Sequence, residues 1–210
     1  MKKIITLLFI LASLHSQSQV VISQAYGGGG NAGSSYTNDF IELFNAPAAP
    51  VSLNGWSVQY NSAASTTTTW QVTNLTNVTL QPGQYYLIQE AQGAGGTTPL
   101  PTPDVIGTIA MSGTAGKVVL LNNTTAVTIQ CPPSGIIDLV GSGAPANCFE
   151  GEGQSPAPSH PTSLIRLFTG CTENNNKAAE IITGAPLPRI TPTAFNTYLW
   201  LGHDVVRRRG

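Results

Sequence analysis

Hydrophobic and polar residues alternate with a period of two along most of this chain. In residues 56–60 (WSVQY), large apolar side chains occupy every second position and polar side chains lie between them. Such alternation is typical of a strand that buries one face in a core. Residues 84–90 repeat the pattern directly after a Pro-Gly turn, and no window has a sustained helical period. The pattern therefore predicts an all-β protein.

The other predicted strands are short. Residues 117–121 (KVVLL) and 136–140 (IIDLV) are apolar enough for the centre of a sheet. The remaining predicted strands are 20–25, 39–44, 70–73, 105–109 and 164–168. Roughly ten short strands with turn signals about every 8–15 residues are typical of a β-sandwich.

Three segments between the strands are predicted to be loops: residues 27–35 (GGGGNAGSS), 92–103 and 144–161. Tyr26 and Tyr36 flank the glycine-rich loop and are our candidates for an exposed contact surface. The aromatic residues within the predicted strands are expected in the core. Because sandwiches commonly bind through loops held on a rigid scaffold, we expect these loops to form the binding surface.

The first 18 residues have the organisation of a secretory signal peptide. Lys2 and Lys3 precede an apolar run over residues 4–14, and small polar residues follow. The alternative is a membrane anchor, but the run is shorter than the roughly 20 residues that span a bilayer. We predict a cleaved signal peptide (1–18), one domain (19–189) and a tail or truncation remnant (190–210). The mature protein is expected to be secreted and extracellular, with the periplasm or the cell surface as the alternatives, and to be free of the membrane after signal cleavage.

The charge of the predicted domain argues against nucleic-acid binding. Residues 19–190 contain four Lys or Arg and nine Asp or Glu, a net charge of −5. Binding to a phosphate backbone requires a basic patch that displaces counterions, and this domain has none in its sequence. The remaining basic cluster, Arg207 to Arg209, lies in the predicted tail.

Three cysteines in an oxidising compartment predict one disulfide and one remaining thiol. If the strand after Cys131 runs away from it and the strand before Cys171 returns, these two residues lie at the same end of the sandwich. We therefore predict a Cys131–Cys171 disulfide, with Cys148 at the opposite end. The cysteine spacings match no zinc motif.

The sequence offers little for catalysis. His160 lies in a Pro-rich loop and His203 in the tail, so neither has the setting of a Ser-His-Asp triad or a His-based metal site. We therefore predict that the protein is not an enzyme. Glu150 and Glu152 lie on one glycine-containing loop, where carboxylates suit Ca²⁺. The alternatives at this loop are a calcium site, with calcium as the one candidate cofactor, and a solvated acidic loop.

Several motifs taken together resemble one protein family. Residues 39–45 (DFIELFN), 51–58 (VSLNGWSV) and 80–88 (LQPGQYYLI) resemble the lamin tail domain. Residues 113–118, 137–141, 147–151 and 184–186 resemble its bacterial secreted branch. The resemblance covers residues 19–189 and implies an immunoglobulin-like β-sandwich without catalytic residues. Related bacterial sequences carry an Asp-rich segment after the last cysteine, where this chain has residues 172–177 (TENNNK).

The resemblance implies a module for attachment or recognition, often found beside nuclease or phosphatase domains. Our first hypothesis is a secreted, non-catalytic binding or structural module whose partner is an extracellular protein or glycan. The alternative is the N-terminal accessory domain of a truncated extracellular nuclease or phosphatase.

Overall fold

The computed structural model describes residues 20–46, 49–66, 69–132 and 135–191. The predicted signal peptide and the tail beyond residue 191 lie outside the described residues. The strands are β1 (Val20–Tyr26), β2 (Asn38–Asn45), β3 (Val51–Ser52), β4 (Ser57–Asn61), β5 (Gln71–Asn74), β6 (Thr79–Leu80), β7 (Tyr85–Gln92), β8 (Val105–Ile106), β9 (Gly116–Leu121), β10 (Ile136–Ser142), β11 (Ser163–Arg166) and β12 (Ile181–Gly184). A 3₁₀ turn (Phe168–Gly170) and the helix α1 (Lys177–Glu180) lie between β11 and β12.

The strands form two main sheets. One has six strands in the order β12-β11-β1-β2-β7-β8, and the other has four in the order β10-β9-β4-β5. A small third sheet pairs β3 with β6, and of the pairings between the named strands in the described residues only β7–β8 is parallel. The predicted all-β, immunoglobulin-like sandwich is confirmed. No helix in the described part of the chain is long and apolar enough to cross a membrane.

The main core lies between the two large sheets. Alternate residues of β2 and β7, such as Ile41 and Ile88, pack against Val58 of β4 and Leu120 of β9, and all four are inaccessible to solvent. Fully burying a side chain of this size contributes about 1.5–3 kcal/mol. The alternation that predicted the strands is thus the alternation between the core and the outer faces.

A β-bulge in β1 directs backbone groups towards a polar site. The pairing of β1 with β2 shifts register between Ile22 and Gln24, so Ser23 is the extra residue. The Ile22 N–H then donates to Asp138 Oδ2 (2.7 Å), and the Ile22 carbonyl accepts from Arg166 Nε (2.9 Å).

After β12, residues 185–191 cross the outer face of the six-stranded sheet; we call them the C-terminal strap. Leu187 exchanges two hydrogen bonds with the side chain of Gln24 on β1, and Arg189 forms an ion pair with Glu42 on β2 (2.6 Å). Glu42 lies on a central strand and is fully buried although its side chain is charged. The burial is possible because Arg189 neutralises this charge.

The predicted Cys131–Cys171 disulfide is wrong. Cys131 is bonded to Cys148, with a Cα–Cα distance of 5.5 Å. After β10 the chain turns at once and folds back over the sheet, so that the Cys148 carbonyl lies against Gly141. The predicted separation of Cys148 from Cys131 assumed that the chain continued past the end of the strand. Cys171 packs on the other sheet, beside Phe44 and Tyr85.

Candidate functional site

Six charged side chains meet in the interior between β10, β11 and α1. We call this group the ion cluster; its members are Asp138, Glu150, Arg166, Glu173, Lys177 and Glu180. The side chains of Asp138, Arg166, Lys177 and Glu180 have no exposed surface. Buried charges are stable only when they are paired and hydrogen-bonded.

Arg166 on β11 connects members of the ion cluster that lie on β10, on α1 and in the segment just before α1. Its Nη2 lies 2.6 Å from Asp138 on β10, and its Nη1 lies 2.6 Å from Glu180 on α1 and 2.8 Å from Glu173. Its Nε donates a hydrogen bond to the carbonyl of Ile22 beside the β1 bulge. Because the guanidinium presents its donors in a fixed fork, a lysine at this position would not reproduce the set.

Lys177 lies among carboxylates. Its Nζ lies 3.0 Å from Asp138, 2.8 Å from Glu150, 2.7 Å from Glu173 and 3.4 Å from Glu180. Burial by itself lowers the pKa of a lysine, but the carboxylates, Asp138 foremost, outweigh burial and raise the pKa of Lys177. The ammonium group therefore acts as a permanent internal cation.

The ion cluster contains four carboxylates and two cations, and Glu150 is its most exposed member. Burial is the main cause that raises the pKa of Glu150, although Lys177 opposes the shift. Glu150 is thus engaged by Lys177, while Glu152 is exposed on the surface. Within the described residues, no group of three or more His, Cys, Asp or Glu side chains is arranged to hold a metal ion. The calcium site proposed for Glu150 and Glu152 stays a prediction.

A second buried polar site consists of two carboxyl groups, Asp39 on β2 and Glu90 on β7. We call them the carboxyl pair. Burial is the main cause that raises the pKa of each to about 7, and the charge of Glu90 adds to the shift of Asp39. No ion pair in the described part of the chain involves either group.

The structure corrects the predicted contact surface at the glycine-rich loop. Tyr26 is fully buried; it packs on Phe40 and Tyr36, and its hydroxyl donates to the His160 carbonyl (2.7 Å). Tyr36 is half-buried. The four glycines from Gly27 to Gly30 serve close packing; a Cβ on Gly29, for example, would lie 2.0 Å from the backbone of Asn38. The loop is therefore part of the interior as much as of the surface.

The cation of Lys117 is buried, and none of the ion pairs among the described residues gives it an acidic partner. Its Nζ donates to the carbonyls of Ser65 and Gln130 and to Asn147 Oδ1 (2.7 Å), and it lies 5.3 Å from the centre of the Trp70 ring. Burial lowers the pKa of Lys117. Because Gln130 and Asn147 adjoin the two disulfide-bonded cysteines, Lys117 holds both arms of the disulfide loop.

An apolar corner of the outer face of the six-stranded sheet is uncovered, and we call it the edge groove. It is lined by Ile165, Phe168, Ile182 and Leu187 and encloses about 240 Å³. Phe168 is 75% exposed and Leu187 is 66% exposed. Ile182 and Ile165 lie opposite each other on β12 and β11, so they share this face.

Both the sequence and the fold of the chain are similar to those of known proteins. The sequence profile described as Lamin Tail Domain matches residues 13–143. The chain belongs to the lamin tail domain family. The match covers the glycine-rich loop and the strands up to β10, whereas most of the ion cluster lies after the matched residues of this lamin tail domain.

A solved structure supports the fold. This lamin tail domain is similar to a DUF4876 family protein from Bacteroides thetaiotaomicron VPI-5482, with a TM-score of 0.50 and 13% sequence identity. The similarity covers 84% of this chain and 72% of the other. At this identity the likeness concerns the fold alone. No curated protein matches the sequence of this lamin tail domain significantly.

Proposed function

We propose that this lamin tail domain is a secreted, non-catalytic binding module that pairs an extended apolar segment of an extracellular protein with strand β12. The observation that carries the proposal is the open edge of β12 beside the edge groove. An exposed strand edge offers unpaired backbone groups to an added strand, and pockets beside it select alternate side chains.

The hydrogen-bond pattern of β12 supports this role. Leu167 N donates to the Glu180 carbonyl, so Leu167 and Glu180 form a hydrogen-bonded pair. Hydrogen-bonded and non-hydrogen-bonded pairs alternate along two antiparallel strands. Ile165–Ile182 is therefore a hydrogen-bonded pair, and Leu164–Thr183 is not. The backbone N–H and C=O of Thr183 therefore point away from β11. Thr183 is exposed and β12 is the last strand of its sheet.

The turn beside β12 supports it as well. Phe168 and Thr169 have φ angles of 51° and 59° in the left-handed region. This conformation costs non-glycine residues about 1–2 kcal/mol each. A large exposed aromatic side chain on such a turn is a candidate anchor for a partner. An apolar groove favours a protein segment over a glycan, because Tyr26 and most strand aromatics are buried.

The binding surface is tested by selecting peptides from a random library on the immobilised full-length chain. We expect enriched peptides with apolar residues at alternate positions. Phe168→Gly suits the left-handed turn and should weaken binding of the best peptide at least tenfold. Ile106→Ser is the matched control, since Ile106 is 67% exposed at the opposite edge of the same sheet.

Two results would overturn the proposal: no enriched peptide class, or peptides that bind Phe168→Gly as tightly as the wild type. N-methylation of alternate peptide nitrogens removes their hydrogen-bond donors and leaves the side chains unchanged. Binding should therefore be lost if the peptide pairs with β12 through its backbone, and retained if it binds through side chains alone. Secretion is tested by the intact mass of protein recovered from the medium, which should lack residues 1–18.

A further inference from the structure

Residues 107–112 occupy the gap between the two large sheets, and we call them the closing segment. Gly107 N donates to the Gln89 carbonyl (2.8 Å), and Ala91 N donates to the Ile109 carbonyl (3.0 Å), so the segment continues the pairing along β7. The side chains of Ile109 and Met111 belong to the main core. Movement of the closing segment would thus open one side of the sandwich.

Three backbone donors of the closing segment bind titratable side chains. These hydrogen bonds are Ile109 N to Glu90 Oε2 (2.8 Å), Met111 N to Asp39 Oδ2 (2.8 Å) and Ser112 N to the Tyr60 hydroxyl (2.9 Å). Asp39 Oδ1 also accepts from Gly29 N (2.9 Å). The carboxyl pair therefore holds the closing segment and the glycine-rich loop together.

The surroundings of the carboxyl pair contain no compensating charge among the described residues. Asp39 is 3% exposed and Glu90 is 1% exposed. Tyr60 faces them from β4, and the Thr73 hydroxyl of β5 lies against Glu90. His160 lies beyond them, against Gly113, and contacts the Ala32 carbonyl.

We propose that the carboxyl pair is a pH-controlled latch, which holds the closing segment and the glycine-rich loop when it is neutral and releases them when it is ionised. Ionised carboxylates accept stronger hydrogen bonds than neutral ones. Here the loss of hydration outweighs that gain, since burial raises the pKa of both groups despite their N–H donors. Opening the segment lets water reach the charges. This latch is independent of the proposed peptide-binding edge.

The direction of the pH effect follows from linkage. Folded pKa values above the unfolded ones mean that the closed state binds protons more tightly than the open state. The stabilisation is complete below about pH 4 and is lost as the pH rises to about 7. In that window each carboxyl shifts the opening equilibrium by up to about tenfold per pH unit.

Amide hydrogen exchange of the full-length chain tests the latch. The readout is the protection factor, which removes the intrinsic pH dependence of exchange. We expect the protection factors of Ile109, Met111 and Gly29 to fall at least tenfold between pH 5 and pH 7.5. The double variant Asp39→Asn, Glu90→Gln cannot ionise and keeps one acceptor oxygen in each side chain, so one of the two N–H donors to Asp39 loses its acceptor. The protection of this variant starts lower but should not change with pH.

The amide of Ile22 is the internal control. It also donates to a buried carboxylate, Asp138, but that group has Arg166 and Lys177 beside it. Equal protection at both pH values in the wild type would overturn the latch, as would an equal fall in the double variant. If the double variant does not fold, carbon NMR titration of the wild type decides: folded-state midpoints below pH 5 for both Asp39 and Glu90 would refute it.

Discussion

Asp138 in the ion cluster and Asp39 in the carboxyl pair are both buried aspartates that accept hydrogen bonds from backbone N–H groups. Asp138 also contacts two cations, Arg166 and Lys177. Asp39 faces a second carboxyl group, Glu90, which raises its pKa further. The same residue type at the same depth is therefore paired with cations at one site and left beside another carboxyl group at the other.

The two sites also join different parts of the chain. The ion cluster connects β10 and β11 to α1, so it fixes the segment between β11 and β12. The carboxyl pair connects two central strands to the closing segment. A neutralised site suits a permanent joint, because a buried charge that loses its partner costs several kcal/mol. A site without countercharge suits a joint that opens.

The largest effect is expected from Arg166→Met, which removes the cation shared by three carboxylates. Loss of one partner from a buried ion group costs about 3–5 kcal/mol, because the remaining charges are uncompensated. Urea unfolding at pH 7 gives the free energy of unfolding. Arg189→Met is the matched control: it takes the cation from one carboxylate, Glu42, which keeps hydrogen bonds from Ser23 and Gln24, so the loss should be smaller. A cost below about 1 kcal/mol for Arg166→Met would contradict the comparison.

The second effect concerns pH. The free energy of unfolding of the wild type should fall by about 2–4 kcal/mol relative to the Asp39→Asn, Glu90→Gln variant between pH 5 and pH 7.5. The reason is that the folded state retains two protons that the unfolded state releases at lower pH. Urea unfolding of both proteins across that range measures the difference. Parallel pH profiles would show that the carboxyl pair does not titrate as described.

The third prediction replaces the internal cation of the ion cluster. Lys177→Met leaves oxygens of four carboxylates around the former ammonium position, and oxygen ligands suit Ca²⁺. We expect this variant to be destabilised and then stabilised again by about 1–3 kcal/mol in excess calcium. The wild type should show no shift of its thermal midpoint, because Lys177 already occupies the position.

Lys117→Met is the control for the loss of a buried lysine, since Lys117 has carbonyl and amide partners instead of carboxylates. Its stability should not respond to calcium. A chelator-sensitive midpoint in the wild type would instead favour the calcium site predicted at Glu150 and Glu152.

Much of the fold follows from the local pattern, because burial of alternate residues is a property of each strand. All predicted strands correspond to observed ones, and the sandwich is confirmed. The strands that were not predicted, β3, β6 and β12, have two to four residues, and the strand predicted over 105–109 is limited to Val105–Ile106. The disulfide was predicted incorrectly because the return of the chain over Gly141 depends on tertiary packing.

Two residues of the ion cluster could have been recognised from the sequence. Asp138 lies inside the run IIDLV and Arg166 inside SLIRLF, and a charge within a core strand must be paired. Their opposite signs would have suggested that the two strands carry a common site. The edge groove left no such signal, since its lining combines a turn, a strand end and the C-terminal strap.

The smallest effect is expected within the ion cluster itself, from Glu150→Gln. Four carboxylates share two cations, and Glu150 is the most exposed of the four, so the loss of its charge should cost least. We expect a change within about 0.5 kcal/mol at pH 7 by urea unfolding. Glu180→Gln is the matched comparison: Glu180 is fully buried and accepts from Arg166 and from the backbone N–H groups of Asn174 and Asn176. Its loss should cost about 1.5–3 kcal/mol. Equal costs for the two variants would contradict this ranking. They would mean that all four carboxylates of the ion cluster contribute to the stability of the folded state, although only two cations are present.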